Sequence, residues 1–259
     1  GISMMSASGI SGNDSPLPRV RLEPAYARML DTIGVRGTIL TFDPKENVVV
    51  TGDSAFLHRR FLPASTFKIP NTLIGLETGV LHRDQIFRWD STEYWNAAWN
   101  EDLALAKAFR VSCVPCYQSV ARTIGRERMT QWLDRLRFGR MIVTDTTIDS
   151  FWLRGSSTIS PMEQLDFLRR LHDRLLPLST ATYDDFAYIF TIANDGRGTF
   201  SGKTGTSAND DRVIGWFAGW YTTASDVRFV VILIEAAPDI EMSVLTEQRL
   251  RLAKQVLMR

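Results

Sequence analysis

The sequence predicts an α+β (α/β) fold in which strands from both ends of the chain build one sheet and a helical segment is inserted between them. Three observations carry this. Strand-like runs stand near the N-terminus at 35–42 and 48–51; residues 83–137 are rich in short stretches of helical spacing; and the final third turns to consecutive strands followed by a helix. Residues 1–62 and 155–259 form the sheet-containing region and residues 63–154 the helical region, within one compact unit.

Taken in order, the opening Gly1 to Gly9 is small and polar and reads as an expression remnant or processed terminus. After a loose leader with Pro16 and Pro18, residues 25–33 read as a short helix. The runs 35–42 and 48–51 read as two strands of a hairpin across Asp43-Pro44-Lys45-Glu46-Asn47. Ile69, Leu73 and Leu76 then recur at helical spacing, and Gly79 is a suitable stop. Trp89, Tyr94, Trp95 and Trp99 fall in a loop and read as core packing in preference to an aromatic-lined wall. Short helices are expected at 103–109, 117–124 and 126–136.

Ser160-Pro161-Met162-Glu163 combines an N-cap, a proline at the first helical position and a capping-box glutamate, so a helix starts there. Residues 183–193 read as a further helix ending at Asn194-Asp195-Gly196. Strands follow at 199–203, 213–222 and 227–235, and a helix over 243–258 closes the chain.

Composition narrows the function classes. A 44% hydrophobic and 23% charged chain is ordinary globular protein, and a formal net charge of +1 gives no reason to expect nucleic acid as a partner. The longest apolar run, 229–234, is far short of the roughly 18 residues of a membrane span. Cys113 and Cys116 are the only cysteines. With three scattered histidines they make a poor metal set, so they read as two small buried side chains in preference to a disulfide or a zinc site.

Chemistry gathers at Pro63-Ala64-Ser65-Thr66-Phe67-Lys68. On a helix, residues three apart share a face, which brings the Lys68 amine to the Ser65 hydroxyl and can supply an unactivated serine with a base. By itself the pair is equally a cap residue and a solvated charge. Ser112, beside a proline between helices, is either a turn serine or a hydroxyl projecting into a cleft. Lys203-Thr204-Gly205 offers two donors to an anion, with a glycine where a ligand can approach the backbone. On the last helix Arg249 falls inside the apolar face of Leu245, Leu252 and Val256, so it needs an anionic partner, structural or bound.

S-x-x-K followed by K-T-G is the pairing of serine β-lactamases and penicillin-binding proteins. With Ser112-Cys113-Val114 in an S-x-V slot, Phe151-Trp152-Leu153, and Gly215-Trp216-Phe217-Ala218-Gly219-Trp220 after Lys203-Thr204-Gly205, the chain resembles the class D β-lactamases, or oxacillinases. The S-D-N triplet of class A is absent.

The resemblance implies a serine β-lactamase/penicillin-binding-like fold, with a mainly antiparallel sheet flanked by helices and an inserted all-helical subdomain. It implies Ser65 as the nucleophile that opens a β-lactam, penicillins above all, and the backbone amides of Ser65 and Thr206 as the oxyanion hole. Ser112 and Lys203 would assist proton transfer to the leaving nitrogen. Thr204, Gly205, Thr206 and Arg249 would bind the substrate, Thr204 and Arg249 by its carboxylate. It implies no metal or nucleotide cofactor, but carbon dioxide or bicarbonate held as a carbamate on Lys68. That group would act as general base among Phe67, Val114 and Trp152. A periplasmic or secreted enzyme, monomeric or homodimeric, is expected.

The chain departs from the family at Phe138-Gly139-Arg140, where the usual triplet is Tyr-Gly-Asn, and at both cysteines. One rival keeps the serine, lysine and Lys-Thr-Gly motifs: a β-lactam sensor domain of a signalling receptor, acylated without turnover; a D,D-peptidase is a third reading, disfavoured by the class D middle motifs.

Overall fold

In a computed structural model, residues 17–258 are described; the expectation for residues 1–9 lies outside them. Seven strands form one sheet in the order β1 (Arg19–Leu22), β3 (Val48–Thr51), β2 (Arg36–Asp43), β9 (Val227–Ala236), β8 (Val213–Thr223), β7 (Gly198–Ala208) and β6 (Thr191–Asn194), and every pairing but β1–β3 is antiparallel. β2 (Arg36–Asp43) and β3 (Val48–Thr51) make the expected hairpin. The leader contributes what the sequence reading missed, β1 (Arg19–Leu22), an exposed edge strand whose arginines suit a sheet margin.

β9 (Val227–Ala236) is central and explains its own unbroken apolar run. Phe229, Val231 and Leu233 pack with one core cluster, and Val230, Ile232 and Ile234 with another. Alternate residues point to opposite faces, so both faces of this strand are covered. On one side lie α1 (Pro24–Thr32) and α8 (Met242–Leu257). On the other lie α6 (Pro161–His172) and the helices of the middle segment.

The start of α6 is as the sequence dictates. Ser160 Oγ accepts from Glu163 N (3.1 Å) while Glu163 Oε1 accepts from Ser160 N (3.0 Å). The middle segment contains α2 (Lys68–Glu77), α3 (Leu105–Arg110), α4 (Val114–Ile124) and α5 (Arg126–Leu136). It is not all helical, because β4 (Ile86–Phe87) pairs with β5 (Leu103–Ala104).

Three further expectations are corrected. The helix expected at 183–193 is α7 (Thr180–Phe190), and Thr191–Asn194 leaves it as β6 to pair with β7; two β-branched residues, Thr191 and Ile192, favour the pleated conformation there. β7 (Gly198–Ala208) runs five residues past Lys203, paired throughout with β8 (Val213–Thr223). In the aromatic loop only Trp99 is buried; Trp89 is 39% and Trp95 85% exposed, although Trp95 meets Trp99 edge-on at 5.0 Å.

Candidate active site

The site forms where the turn before α2, the turn between α3 and α4, and the edge of β7 converge. Ala64–Phe67 is a 3₁₀ turn that runs into α2 at Lys68. Side chains three apart eclipse in such a turn. Lys68 Nζ therefore donates to Ser65 Oγ at 3.1 Å. The turn is held from three directions. Ala64 N donates to the Trp152 carbonyl (3.1 Å), Trp216 Nε1 to the Leu62 carbonyl (2.9 Å), and Gln164 Nε2 to Thr66 Oγ1 (2.9 Å). Ala64 has φ 50°, a left-handed value that a non-glycine residue keeps only where its surroundings impose it.

Lys68 is fully buried, and among the described residues no carboxylate offsets its charge. Burial lowers its pKa from the ordinary 10.5 to about 7. Its enclosure is aromatic. Nζ lies 5.1 Å from the Tyr117 ring centre, and Phe67 stacks on Trp152 at 5.3 Å and meets Phe151 edge-on at 4.8 Å. Val114, the first residue of α4, is partly buried against the same cluster. Trp152 Nε1 is buried without a hydrogen-bond partner among the described residues, a cost that calls for an acceptor.

Ser112 ends the turn after α3 with φ 54°. Its Oγ accepts from Lys203 Nζ at 2.5 Å, and Lys203 also donates to the Thr204 carbonyl at 2.9 Å. Lys203 is buried, and its pKa is held well below the ordinary value, first by burial and then by the positive charges of Lys68, Arg110 and Arg249. The glycine of Lys203-Thr204-Gly205 serves closeness of a different kind from that expected. A Cβ on Gly205 would stand 3.1 Å from Pro63 O and Thr66 N and 3.2 Å from Ser65 N, so the crowding comes from the serine turn itself.

Arg249 is buried as its helical position predicted, while Arg251 and Lys254 face solvent. The anionic partner expected for it is not among its contacts in the described residues. It donates to the Gly205 carbonyl and to Thr206 Oγ1 (2.8 Å), and its Nε is unpartnered. Burial lowers its pKa from 12.5 to about 10.

Sequence reasoning missed Arg110 and Tyr117. Arg110 ends α3 two residues before Ser112, and its guanidinium donates to the carbonyls of Gly202 (2.9 Å), Ile189 (3.3 Å), Phe190 (3.2 Å) and Thr191 (3.2 Å). The available signal is a second cation, after Lys107, closing a short helix whose other residues are apolar. Tyr117 is fully buried, with its hydroxyl 2.7 Å from Thr72 Oγ1. The Phe138-Gly139-Arg140 departure is accommodated locally: Phe138 is buried, and Arg140 is exposed, with its backbone paired to Thr158. Cys113 and Cys116 are corrected from free side chains to a disulfide. Their Cα atoms, 5.4 Å apart across the start of α4, lie within bonding range.

A serine hydroxyl against a deprotonatable buried amine, with a second hydroxyl–amine pair and an arginine nearby, can carry out acyl transfer on an anionic substrate. The comparisons agree. The family model of the penicillin binding protein transpeptidase domain matches residues 37–257. The β-lactamase OXA-48 of Klebsiella pneumoniae is 35% identical over 195 residues, 75% of this chain and 73% of that one. The solved class D β-lactamase YbXI from Nostoc is 36% identical with a TM-score of 0.83, covering 90% of this chain and 98% of the other. The C-terminal domain of the Bacillus licheniformis BlaR penicillin receptor is 26% identical with a TM-score of 0.85, covering 93% and 98%. With its family motifs spread from the Ser65 turn to β8 on this fold, the chain belongs to the penicillin-binding protein transpeptidase family and, within it, to the class D serine β-lactamases.

Proposed function

We propose that the chain hydrolyses β-lactams, penicillins above all, through an acyl-enzyme on Ser65, and that it does so outside the cytoplasm, in the periplasm or as a secreted protein. The observation that carries the reading is the Ser65–Lys68 pair: a hydroxyl 3.1 Å from a fully buried amine with a pKa of about 7. About half of that amine is neutral at pH 7, against less than a thousandth of an ordinary lysine. Lys68 can thus accept the Ser65 proton as Oγ attacks the lactam carbonyl.

The backbone N–H groups of Ser65 and Thr206 then face the developing oxyanion, where preorganised donors lower the barrier by about 3 kcal/mol each. The leaving nitrogen takes its proton from Ser112 Oγ, and Lys203 at 2.5 Å replenishes it. Thr204 and Arg249 hold the substrate carboxylate, and Gly205 keeps β7 close against the serine turn.

A neutral amine also reacts with carbon dioxide, and the surroundings of Lys68 fit a carbamate. Trp152 Nε1 is a buried donor in need of an acceptor, and Phe67 and Val114 add apolar cover. When bound, that group supplies a general base for acylation and for the water of deacylation.

The likeness to the BlaR receptor domain favours one other reading, a sensor that is acylated and stops. Mixing the protein with excess penicillin separates the two: sustained ring opening over many equivalents is expected, and a burst ending at one equivalent with a persistent mass adduct would sink hydrolysis. Removing bicarbonate should slow turnover reversibly, with full activity in degassed buffer counting against the carbamate. Lys68→Ala should still fold and fail to deacylate; rapid turnover by that variant would remove Lys68 from the mechanism.

A further inference from the structure

The Cys113–Cys116 bond takes no part in the chemistry above, and it does little as a cross-link. It joins residues three apart, and so short a loop constrains the unfolded chain least. Its placement is more informative. Cys113 is the N-cap residue of α4 and Cys116 lies in the first turn, where the Cys116 N–H donates to Cys113 Sγ at 3.3 Å. A thiolate at Cys113 keeps that donor and faces the positive end of the helix, so reduction leaves a stabilised anion.

Cys113 also follows Ser112 directly, and Ser112 holds φ 54° only because its neighbours are fixed. The Cys113 N–H bonds back to the Ala108 carbonyl (2.9 Å), so the cross-linked residue anchors one end of the Ser112 turn. A cavity of about 440 Å³ reaches the bond from another side. Cys113, Pro115, Cys116, Phe87 and Trp99 line it, and none of Ser65, Lys68, Ser112 or Lys203 does. Its size suits a small organic ligand.

We propose that Cys113–Cys116 is a redox modification site, at which a small dithiol entering this cavity reduces the bond, loosens the Ser112 turn and lowers the rate of β-lactam acylation. One thiolate of the dithiol attacks Cys116 Sγ, forming a mixed disulfide and expelling Cys113 as the thiolate held by the Cys116 N–H. The second thiol of the reagent then attacks the mixed disulfide, closes its own disulfide and releases Cys116. Two electrons pass from the dithiol to the protein sulfurs, and no other reactant is needed. The effect on acylation rests on the β-lactam chemistry proposed above; the reducibility of the bond does not.

The test treats the folded, full chain with dithiothreitol and divides each sample in two. One half is quenched with N-ethylmaleimide and weighed by mass spectrometry to count thiols; the other is mixed with a fluorescent penicillin to read the single-turnover acylation rate. The expected result is two alkylated cysteines, a several-fold fall in acylation, recovery on reoxidation with diamide, and no response to the reductant in the C113V/C116V double variant. Two alkylated cysteines with an unchanged rate would overturn the proposal, as would a bond that resists the reagent until the chain is denatured. The wild-type measurements decide this whether or not the double variant folds. An oxidised chain that takes no penicillin defeats the β-lactam reading, while the thiol count still decides whether the site is reducible.

Discussion

Lys68→Met should make the protein more stable while abolishing its activity. The buried amine has a folded pKa of about 7 and an ordinary value of 10.5, and its only hydrogen-bond partner in the described residues is Ser65 Oγ. Between those two values the unfolded chain binds a proton that the folded chain does not, so stability rises with pH by about 1.4 kcal/mol per unit across that window. Below about pH 7 the penalty is complete, and above pH 10.5 it is gone.

Burying this lysine therefore costs about 4 kcal/mol at pH 7 and about 2 kcal/mol at pH 9. Methionine fills nearly the same volume and forfeits one hydrogen bond worth about 1 kcal/mol. The variant should be more stable than the parent by about 3 kcal/mol at pH 7 and by about 1 kcal/mol at pH 9. Urea unfolding of both proteins in bicarbonate-free buffer at the two pH values measures this directly. A destabilised variant at pH 7, or a difference that does not shrink between pH 7 and 9, would refute the assignment of Lys68 as a desolvated, uncompensated amine.

Three other substitutions probe the frame around it. Gly205→Ala places a methyl 3.1 Å from Pro63 O and Thr66 N; acylation should slow by at least tenfold with about 1–2 kcal/mol lost in stability, and a wild-type acylation rate would show that the turn can retreat freely. Arg110→Met leaves the Ile189, Phe190, Thr191 and Gly202 carbonyls without this donor and removes one of the charges that depress Lys203. It should cost about 1–3 kcal/mol in thermal unfolding and move any Lys203 ionisation in the pH–rate profile to higher pH; a profile displaced downward contradicts it. Arg249→Ala should raise KM for a penicillin by about a hundredfold with a smaller effect on kcat. An unchanged KM would show that the buried guanidinium serves only the Gly205 and Thr206 contacts.

How much of this was legible in the sequence depends on whether a residue's role is set locally. Ser65 and Lys68 are three apart on one turn, Ser160 and Glu163 close a capping box, and Arg249 lies on a regular helix; in each case periodicity alone places the side chain. Pairing between distant segments leaves no such trace. β1 finds β3 across 25 intervening residues, and β6 leaves α7 because β7 is there to receive it. Arg110 reached Gly202 through the tertiary fold, and Gly205 proved to be required by the Ser65 turn. The cysteines mislead for a similar reason, since spacing permits bonding, metal binding or simple packing alike, and only the helix start at Val114 brings the Cα atoms to 5.4 Å.

The electrostatics of the site follow from this division. Lys68, Lys203, Arg110 and Arg249 reach it on α2, β7, α3 and α8, and among the described residues their hydrogen-bond partners are hydroxyls and carbonyls, with no carboxylate. Burial lowers the pKa of all four, and the charges of the other three add to the depression at Lys203. Burying cations without partners is expensive, and a fold selected for stability alone would replace them with apolar side chains. Their presence makes sense if the missing negative charge arrives with ligands: a carboxylate at Arg249, an acceptor for the buried Trp152 indole, and an oxyanion above Ser65. Each such charge relieves repulsion among the four buried cations, so part of the binding free energy of an anionic β-lactam is set when the chain folds.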